Sequence, residues 1–322
     1  MANKLWAIAD LHLSYKSNRE EWTKLRAKGV EDGLVLAGDG TLSFARVESI
    51  RLTTTLVGES ISTLNYAFET AKKCFRHVFW VPGNHELYTL ASAPEEEQHL
   101  RGEAKYMACV DAARKHGVLT PEDEYMTWRY VNEDGTRTAA VICPIFTLYD
   151  YSFRPDDITR EGALDWAMQE NIRATDESLL WPTPYASRDE WCHKLVAQGE
   201  TKLQRAADSG LTLVIINHWP LREDIIYIPR VPRFTLWCGT KKTKDWHKTY
   251  GAKVVVSGHL HVPRTDWIDG VRFEEVSLGY SAQWKAAKDL GMDVNTLLRE
   301  ILPGPPSPPL DQVPATAWRR RG

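Results

Sequence analysis

The sequence predicts an α/β fold, buried strands alternating with helices, and three observations carry the prediction. Short apolar runs rich in β-branched residues recur at 4–9, 33–37, 78–81, 211–216 and 253–257, each of strand length and each closed by turn residues. Windows at 61–75, 95–116 and 188–207 place apolar residues at helical spacing. Two further pairs of strand-like runs, meeting at Asp134-Gly135 and Asp269-Gly270, have the form of β-hairpins.

Composition narrows the function classes. With 322 residues, 43% of them hydrophobic, the chain can bury one large core or two modest ones. A formal charge of -3 and a pI near 6.4 give no electrostatic footprint for nucleic acid or an anionic membrane, and neither is expected as a partner. Cys74, Cys109, Cys143, Cys192 and Cys238 are odd in number and never spaced C-x-x-C, which points to reduced core thiols. The apolar run ending at Ala9 is cut by Asp10 and is too short for a signal peptide or membrane span, so a cytoplasmic protein is expected.

Taken in order, the first strand (4–9) runs into Asp10-Leu11-His12, a carboxylate and an imidazole two residues apart, able to share one crevice at a strand end. A polar helix is predicted over 19–28. The second strand (33–37) ends in Gly38-Asp39. Residues 40–56 then separate that acid from the helix at 61–75, where connections of this kind usually take about 2–6 residues. The third strand (78–81) stops at Pro82-Gly83-Asn84-His85-Glu86, a polar crowd that folding alone does not require. A helix over 95–116 would bury Leu100, Ala104, Met107, Ala108 and Val110. The hairpin 125–131/138–143 leads into an aromatic stretch, 146–154, that suits either a pocket wall or loop packing. Ser187 and Glu190 form an S-x-x-E capping box opening a helix that reaches Ala207. Strand 211–216 ends in Asn217-His218, strand 253–257 in Gly258-His259-Leu260-His261, and the hairpin 264–268/271–277 extends a sheet. From Pro303 the chain is proline-dense and ends in Arg319-Arg320-Arg321, which predicts a disordered appendage.

Asp10, His12, Asp39, Asn84, His85, His218, His259 and His261 thus fall at the carboxyl ends of core strands, and they include half of the chain's ten histidines. Imidazole, carboxylate and amide oxygen without thiolate suit Mn²⁺, Fe²⁺ or Zn²⁺. The set is too large for one ion.

In this order, Asp10-x-His12, Gly38-Asp39, Gly83-Asn84-His85-Glu86, His218 and Gly258-His259-x-His261 resemble the five signature blocks of the calcineurin-like metallophosphoesterases, over residues 4 to about 278. The resemblance implies a sandwich of two mixed β-sheets packed face to face and flanked by helices. It would form one domain over 1–302, carrying the insertion 40–56 and a mainly helical excursion at about 90–210, with a tail at 303–322. It also implies two divalent ions, Mn or Fe favoured and Zn compatible. Asp10, His12 and His261 would hold one, Asn84, His218 and His259 the other, and Asp39 would bridge them. Two ions about 3.5–4 Å apart polarise a phosphoryl group and activate water, so phosphoester hydrolysis needs no protein nucleophile. His85 is left, by resemblance, to protonate the leaving oxygen, oriented by Glu86 or another acid.

A narrower likeness rests on residues 79–87, 148–153, Trp237-Cys238-Gly239-Thr240, Asp245-Trp246-His247, Arg264-Thr265 and 269–277, which are similar to the phosphopantetheinyl hydrolase branch. It implies cleavage of a phosphodiester that releases 4′-phosphopantetheine from a carrier protein, the expected partner. Tyr149, Asp150, Tyr151, Arg222, His247 and Arg264 are candidates for substrate contact. A phosphomonoesterase or phosphoprotein phosphatase, or a non-catalytic scaffold on the same fold, are the competing readings. Residues 40–56 depart from the family pattern. They are either a loop beside Asp39 or a retained intron, since their removal joins Gly38-Asp39 to Val57-Gly58-Glu59-Ser60 as the pattern runs.

Overall fold

A computed structural model of the chain describes residues 3–40, 60–309, 312, 313 and 315–319, so that 41–59, most of the expected insertion, lie outside the described residues. The first three strands have almost no polar position. β1 (Leu5–Ile8), β2 (Gly33–Leu36) and β3 (His77–Trp80) run parallel, Leu5 opposite Gly33 and Gly33 opposite His77. Such continuous apolar runs are what parallel strands covered on both faces require. Helix α1 (Lys16–Trp22) follows β1 and ends earlier than the sequence predicts. The Asn295 side chain takes over there, accepting from Arg26 N–H and donating to the Lys24 carbonyl. Helix α2 (Ile61–Cys74) is capped by Ser60, whose hydroxyl accepts from the Thr63 amide.

Helix α3 (Glu103–Lys115) begins eight residues later than its apolar spacing suggests. Glu97 leaves the periodic run to bind the Ile61 amide with both oxygens at 3.0 Å and the Lys105 ammonium at 2.9 Å, and Gly102, with φ +54, turns the chain into the helix. β4 (Met126–Val131) and β5 (Arg137–Pro144) form the expected hairpin. Two short helices, α4 (Ala163–Met168) and α5 (Asp176–Leu179), precede α6 (Arg188–Ala207), where Ser187 accepts from the Glu190 amide, while the Glu190 carboxylate accepts from the Ala186 amide instead of the Ser187 amide, so only the serine half of the expected capping box forms. β6 (Thr212–Ile216) and β7 (Ala252–Ser257) lead to the hairpin of β8 (Arg264–Ile268) and β9 (Val271–Glu275). Its two turn residues, Asp269 (φ +55) and Gly270 (φ +77), are both left-handed, as a two-residue type I′ connection demands. β10 (Arg299–Leu302) and β11 (Ala315–Trp318) close the chain.

These strands make two mixed sheets, β10-β1-β2-β3 and β11-β8-β9-β7-β6-β5-β4, as the resemblance implies. Alternate residues divide between two cores. Leu5, Ala7, Val35, Phe79 and Val81 pack against Ala140, Ile142, Val214, Ile216, Val254 and Val256 between the sheets. Trp6, Ile8, Leu34, Leu36, Val78 and Trp80 share a second core with helical residues such as Leu64, Phe68 and Val110. Each fully buried side chain of this size stabilises the fold by about 1.5–3 kcal/mol.

Within the mainly helical stretch 90–210 the expected hairpin also builds the second sheet, because β5 pairs parallel with β6. One expectation about chain organisation changes. The tail is not an appendage: β11 pairs antiparallel with β8, Ala315 opposite Trp267 and Trp318 opposite Arg264. Composition hid this because one residue anchors it. Arg319 donates to Thr265 Oγ1, to the fully buried Glu274 carboxylate and to the Glu275 carbonyl. Among the described residues no helix is long and apolar enough to cross a membrane.

Candidate metal centre

The strand tips are brought together by unusual backbone. Asp10 (φ +52), His12 (+46), Asp39 (+53), His259 (+72) and His261 (+56) all occupy the left-handed region, which non-glycine residues enter at a cost and mostly at functional sites. Glycine precedes ligand candidates for steric reasons. A Cβ on Gly83 would lie 2.0 Å from Asp39 Oδ1, and one on Gly38 (φ +92) 2.4 Å from His218 Nδ1. The loops therefore approach more closely than any side chain would allow.

Asp10, His12 and His261 offer ligand atoms all within 4.8 Å of one another, and so do Asp10, Asp39 and His218. His261 Nε2 lies 3.0 Å from Asp10 Oδ1 and 3.1 Å from His12 Nε2. His218 Nε2 lies 3.4 Å from Asp39 Oδ2 and 3.3 Å from His259 Nδ1. Asp10 stands in both groups and Asp39 in the second.

Outer contacts set the orientation of these ligands. His218 Nδ1 donates to the Ala37 carbonyl at 2.8 Å and His261 Nδ1 to Gln283 Oε1 at 2.9 Å, which leaves each Nε2 lone pair for a metal. Asn84 Nδ2 donates to Tyr88 Oη (2.8 Å) and Asp176 Oδ1 (2.9 Å), while its Oδ1, buried, has no hydrogen-bond partner among the described residues. His259 Nε2 is orphaned in the same way. A donor set in which imidazole nitrogens face one another and a buried amide oxygen is unmatched fits divalent cations.

Electrostatics agree with that fit. Burial would raise Asp10, but the charge and hydrogen bond of His261, then His218, hold it well below the usual carboxylate range. Asp39 is likewise depressed against its burial, by His218 and His85. Burial, reinforced by His261, pushes His12 down to about 3; burial and His218 do the same to His259. His218 rises to about 9, burial opposing and the Asp39 carboxylate prevailing. Ionised carboxylates and neutral imidazoles are the ligating forms, so His218, kept protonated at neutral pH by the Asp39 carboxylate, must release a proton as a metal binds.

His85 lies beside this cluster. Its amide donates to Asp39 Oδ1 at 3.0 Å, and its Nε2 is 3.7 Å from Asp39 Oδ2. Glu86 does not orient it. Instead the Glu86 carboxylate accepts from three backbone amides, Gly83 (2.8 Å), Asp39 (3.0 Å) and Gly40 (2.7 Å), and so ties the β2 and β3 loops together. Burial and the Asp39 charge push Glu86 upward against the pull of those amides.

The centre opens into a cavity of about 440 Å³ lined by Asp39, Asn84, His85, His259 and His261, with Tyr88, residues 171–176, Ile228, Val231, Phe234, Leu260, Tyr280 and Gln283 continuing the wall. Tyr149, Tyr151, Arg222, His247 and Arg264 are not on that wall. Tyr149 is wholly buried against Tyr151 and Trp219. Tyr151 donates to Glu177, Arg222 pairs with Asp224 and contacts His247, His247 meets Asp269, and Arg264 pairs with Asp266. Asp150 is likewise committed, to His193 and Thr240. Most of their polar atoms are committed to these partners, although Tyr149 Oη and His247 Nδ1 are buried without a hydrogen bond among the described residues. Asp176 is the residue sequence reasoning missed, because it reaches Asn84 across 92 positions; Tyr88, four residues beyond Asn84, was findable.

Comparison with known proteins gives this geometry its context. The calcineurin-like phosphoesterase family matches residues 4–263. The chain is 39% identical over 302 residues to the [acyl-carrier-protein] phosphodiesterase PptH of Mycobacterium tuberculosis, covering 94% of this chain and 84% of that protein. The crystal structure of phosphopantetheinyl hydrolase (PptH) from Mycobacterium tuberculosis superposes with a TM-score of 0.80 at 37% identity, covering 96% of this chain and 99% of that one. Sequence, fold and ligand set converge: the chain belongs to the calcineurin-like phosphoesterase family and is a metal-dependent phosphoric ester hydrolase.

Proposed function

We propose that the chain is a two-metal phosphodiesterase that releases 4′-phosphopantetheine from a carrier-protein serine. The observation that carries the reading is the pair of convergent ligand groups, beside His85, in a chain 39% identical over nearly its whole length to an acyl-carrier-protein phosphodiesterase. We assign Asp10, His12 and His261 to one ion, Asn84, His218 and His259 to the other, and Asp39 between them. Mn²⁺ and Fe²⁺ are the favoured ions, with Zn²⁺ compatible. When bound, such a pair supplies Lewis-acid polarisation of the phosphoryl group and activation of water. The chain's own residues do the rest. Asp39 and the loops tied by Glu86 hold the ligands in register. His85 Nε2 gives its proton to the leaving serine oxygen, so a poor leaving group departs as an alcohol. Ile172, Ala174, Ile228, Val231, Phe234 and Leu260 form an apolar wall against which an extended arm can lie. The five cysteines are all free, which supports placing the protein in the reducing cytoplasm.

The test is intact-mass analysis of holo-carrier protein incubated with the Mn²⁺-loaded chain. Loss of the phosphopantetheine mass is expected. An unchanged carrier, with bis(p-nitrophenyl) phosphate cleaved, would defeat the substrate. Faster turnover of the monoester than of the diester would favour a phosphomonoesterase.

A further inference from the structure

We propose that the rim formed by Tyr227, Val231 and Trp318 is where the folded body of the carrier protein docks, and that this partner surface is acidic and apolar. The inference rests on the substrate reading above. A cavity of about 440 Å³ admits a phosphodiester and its arm but not a protein domain, so the protein bearing the ester must rest on the residues at the mouth.

Those residues are unusual in being large, apolar and exposed. Tyr227, Val231 and Trp318 are 51%, 42% and 50% accessible, whereas most aromatic residues of this chain are buried. Tyr227 adjoins Ile228, and Ile228 and Val231 both line the cavity. The Tyr227 and Trp318 rings meet edge to face with centroids 5.0 Å apart. The backbone next to Trp318 is fixed as well, because the Arg319 amide donates to the Pro263 carbonyl at 3.0 Å, two residues beyond His261. The half-buried Arg319 guanidinium anchors the same turn to Thr265 and Glu274. Rigid aromatic side chains presented in this way lose little entropy on binding, which is why Trp and Tyr dominate interface energetics.

Charge selects the partner. Arg230, exposed between Ile228 and Val231, and Arg173, exposed on the cavity wall, make no ion pair among the described residues. Two guanidinium groups without an ion pair, one three residues from Tyr227 and one on the cavity wall, complement carboxylates around an apolar patch.

Steady-state kinetics of the Mn²⁺-loaded full chain test this on two substrates, holo-carrier protein and bis(p-nitrophenyl) phosphate. Tyr227→Ala and Trp318→Ala should raise KM for the carrier protein roughly tenfold or more, with kcat and all small-diester kinetics unchanged. Arg230→Glu should raise the same KM at low salt, and added salt should shrink the difference. Variants indistinguishable from wild type on the carrier protein overturn the docking surface while leaving the substrate standing. So does a loss on both substrates in Trp318→Ala with none in Tyr227→Ala. A wild-type dimer that Trp318→Ala makes monomeric at unchanged KM gives the patch to a second copy. Wild type inert toward holo-carrier protein yet active on the small diester removes the substrate reading and this proposal together.

Discussion

Asn84 and His85 share a turn but not a set of partners. Asn84 is held through its amide nitrogen by Tyr88 and Asp176, which leaves its buried oxygen unmatched, whereas His85 leans on Asp39. We therefore expect Asn84→Ala to lose one equivalent of metal by elemental analysis. His85→Ala should keep both and lose about 10²–10⁴ in turnover, most severely on substrates with poor leaving groups. Equal metal loss in the two variants would defeat that division of labour. Glu86, next in the chain, was legible only as an acid near a site. Which groups an acid accepts from depends on where two loops meet, and local sequence does not encode that. Since it satisfies three buried amides, Glu86→Ala should destabilise the fold by about 3 kcal/mol or more, read from urea midpoints at constant m-value.

Among the elements, apolar strands and long periodic helices were legible and the shortest helices were not. The β8–β9 hairpin announces itself through Asp269-Gly270, whose φ values only such residues accept readily. Helix α5 has four residues and therefore no period to read, yet it delivers Asp176 to Asn84. Because outer contacts of this kind typically tune metal affinity 10–100-fold, Asp176→Ala should weaken one of the two ions by about that factor. Titration of the metal-free protein, showing one site weakened and one unchanged, is the expected result; two unchanged affinities would reduce Asp176 to packing. Strand β11 was hidden for a different reason. Proline-dense composition describes the residues leading to it, while its placement depends on Arg319 finding a carboxylate, Glu274, 45 positions away.

For the whole molecule, the sandwich was readable, and the candidate metal residues could be picked out, because each strand tip carries its polar side chains within a few residues of an apolar run. The cavity wall was not. Its members come from 171–176, 228–234 and 280–283, segments that only the closed fold assembles, and the aromatic and basic residues first singled out are occupied elsewhere. The segment 40–56 poses a question at this scale too. A Cβ at position 40 would meet Glu86 Oε1 at 3.4 Å and Leu64 at 3.8 Å, ordinary contacts, so a chain in which Val57 follows Asp39 directly meets no clash at its β-carbon. We expect that shortened chain to fold with both metals and undiminished kcat; loss of metal would make the segment a working part of the site. Left-handed backbone at five ligand positions also has a consequence for laboratory selection. Glycine relieves such a conformation at about 1 kcal/mol or more per position, so a screen for heat resistance alone should enrich changes such as His261→Gly. Robust, inert survivors would then mark the map of the chemistry, with tolerance to heat and catalytic competence trading against each other residue by residue.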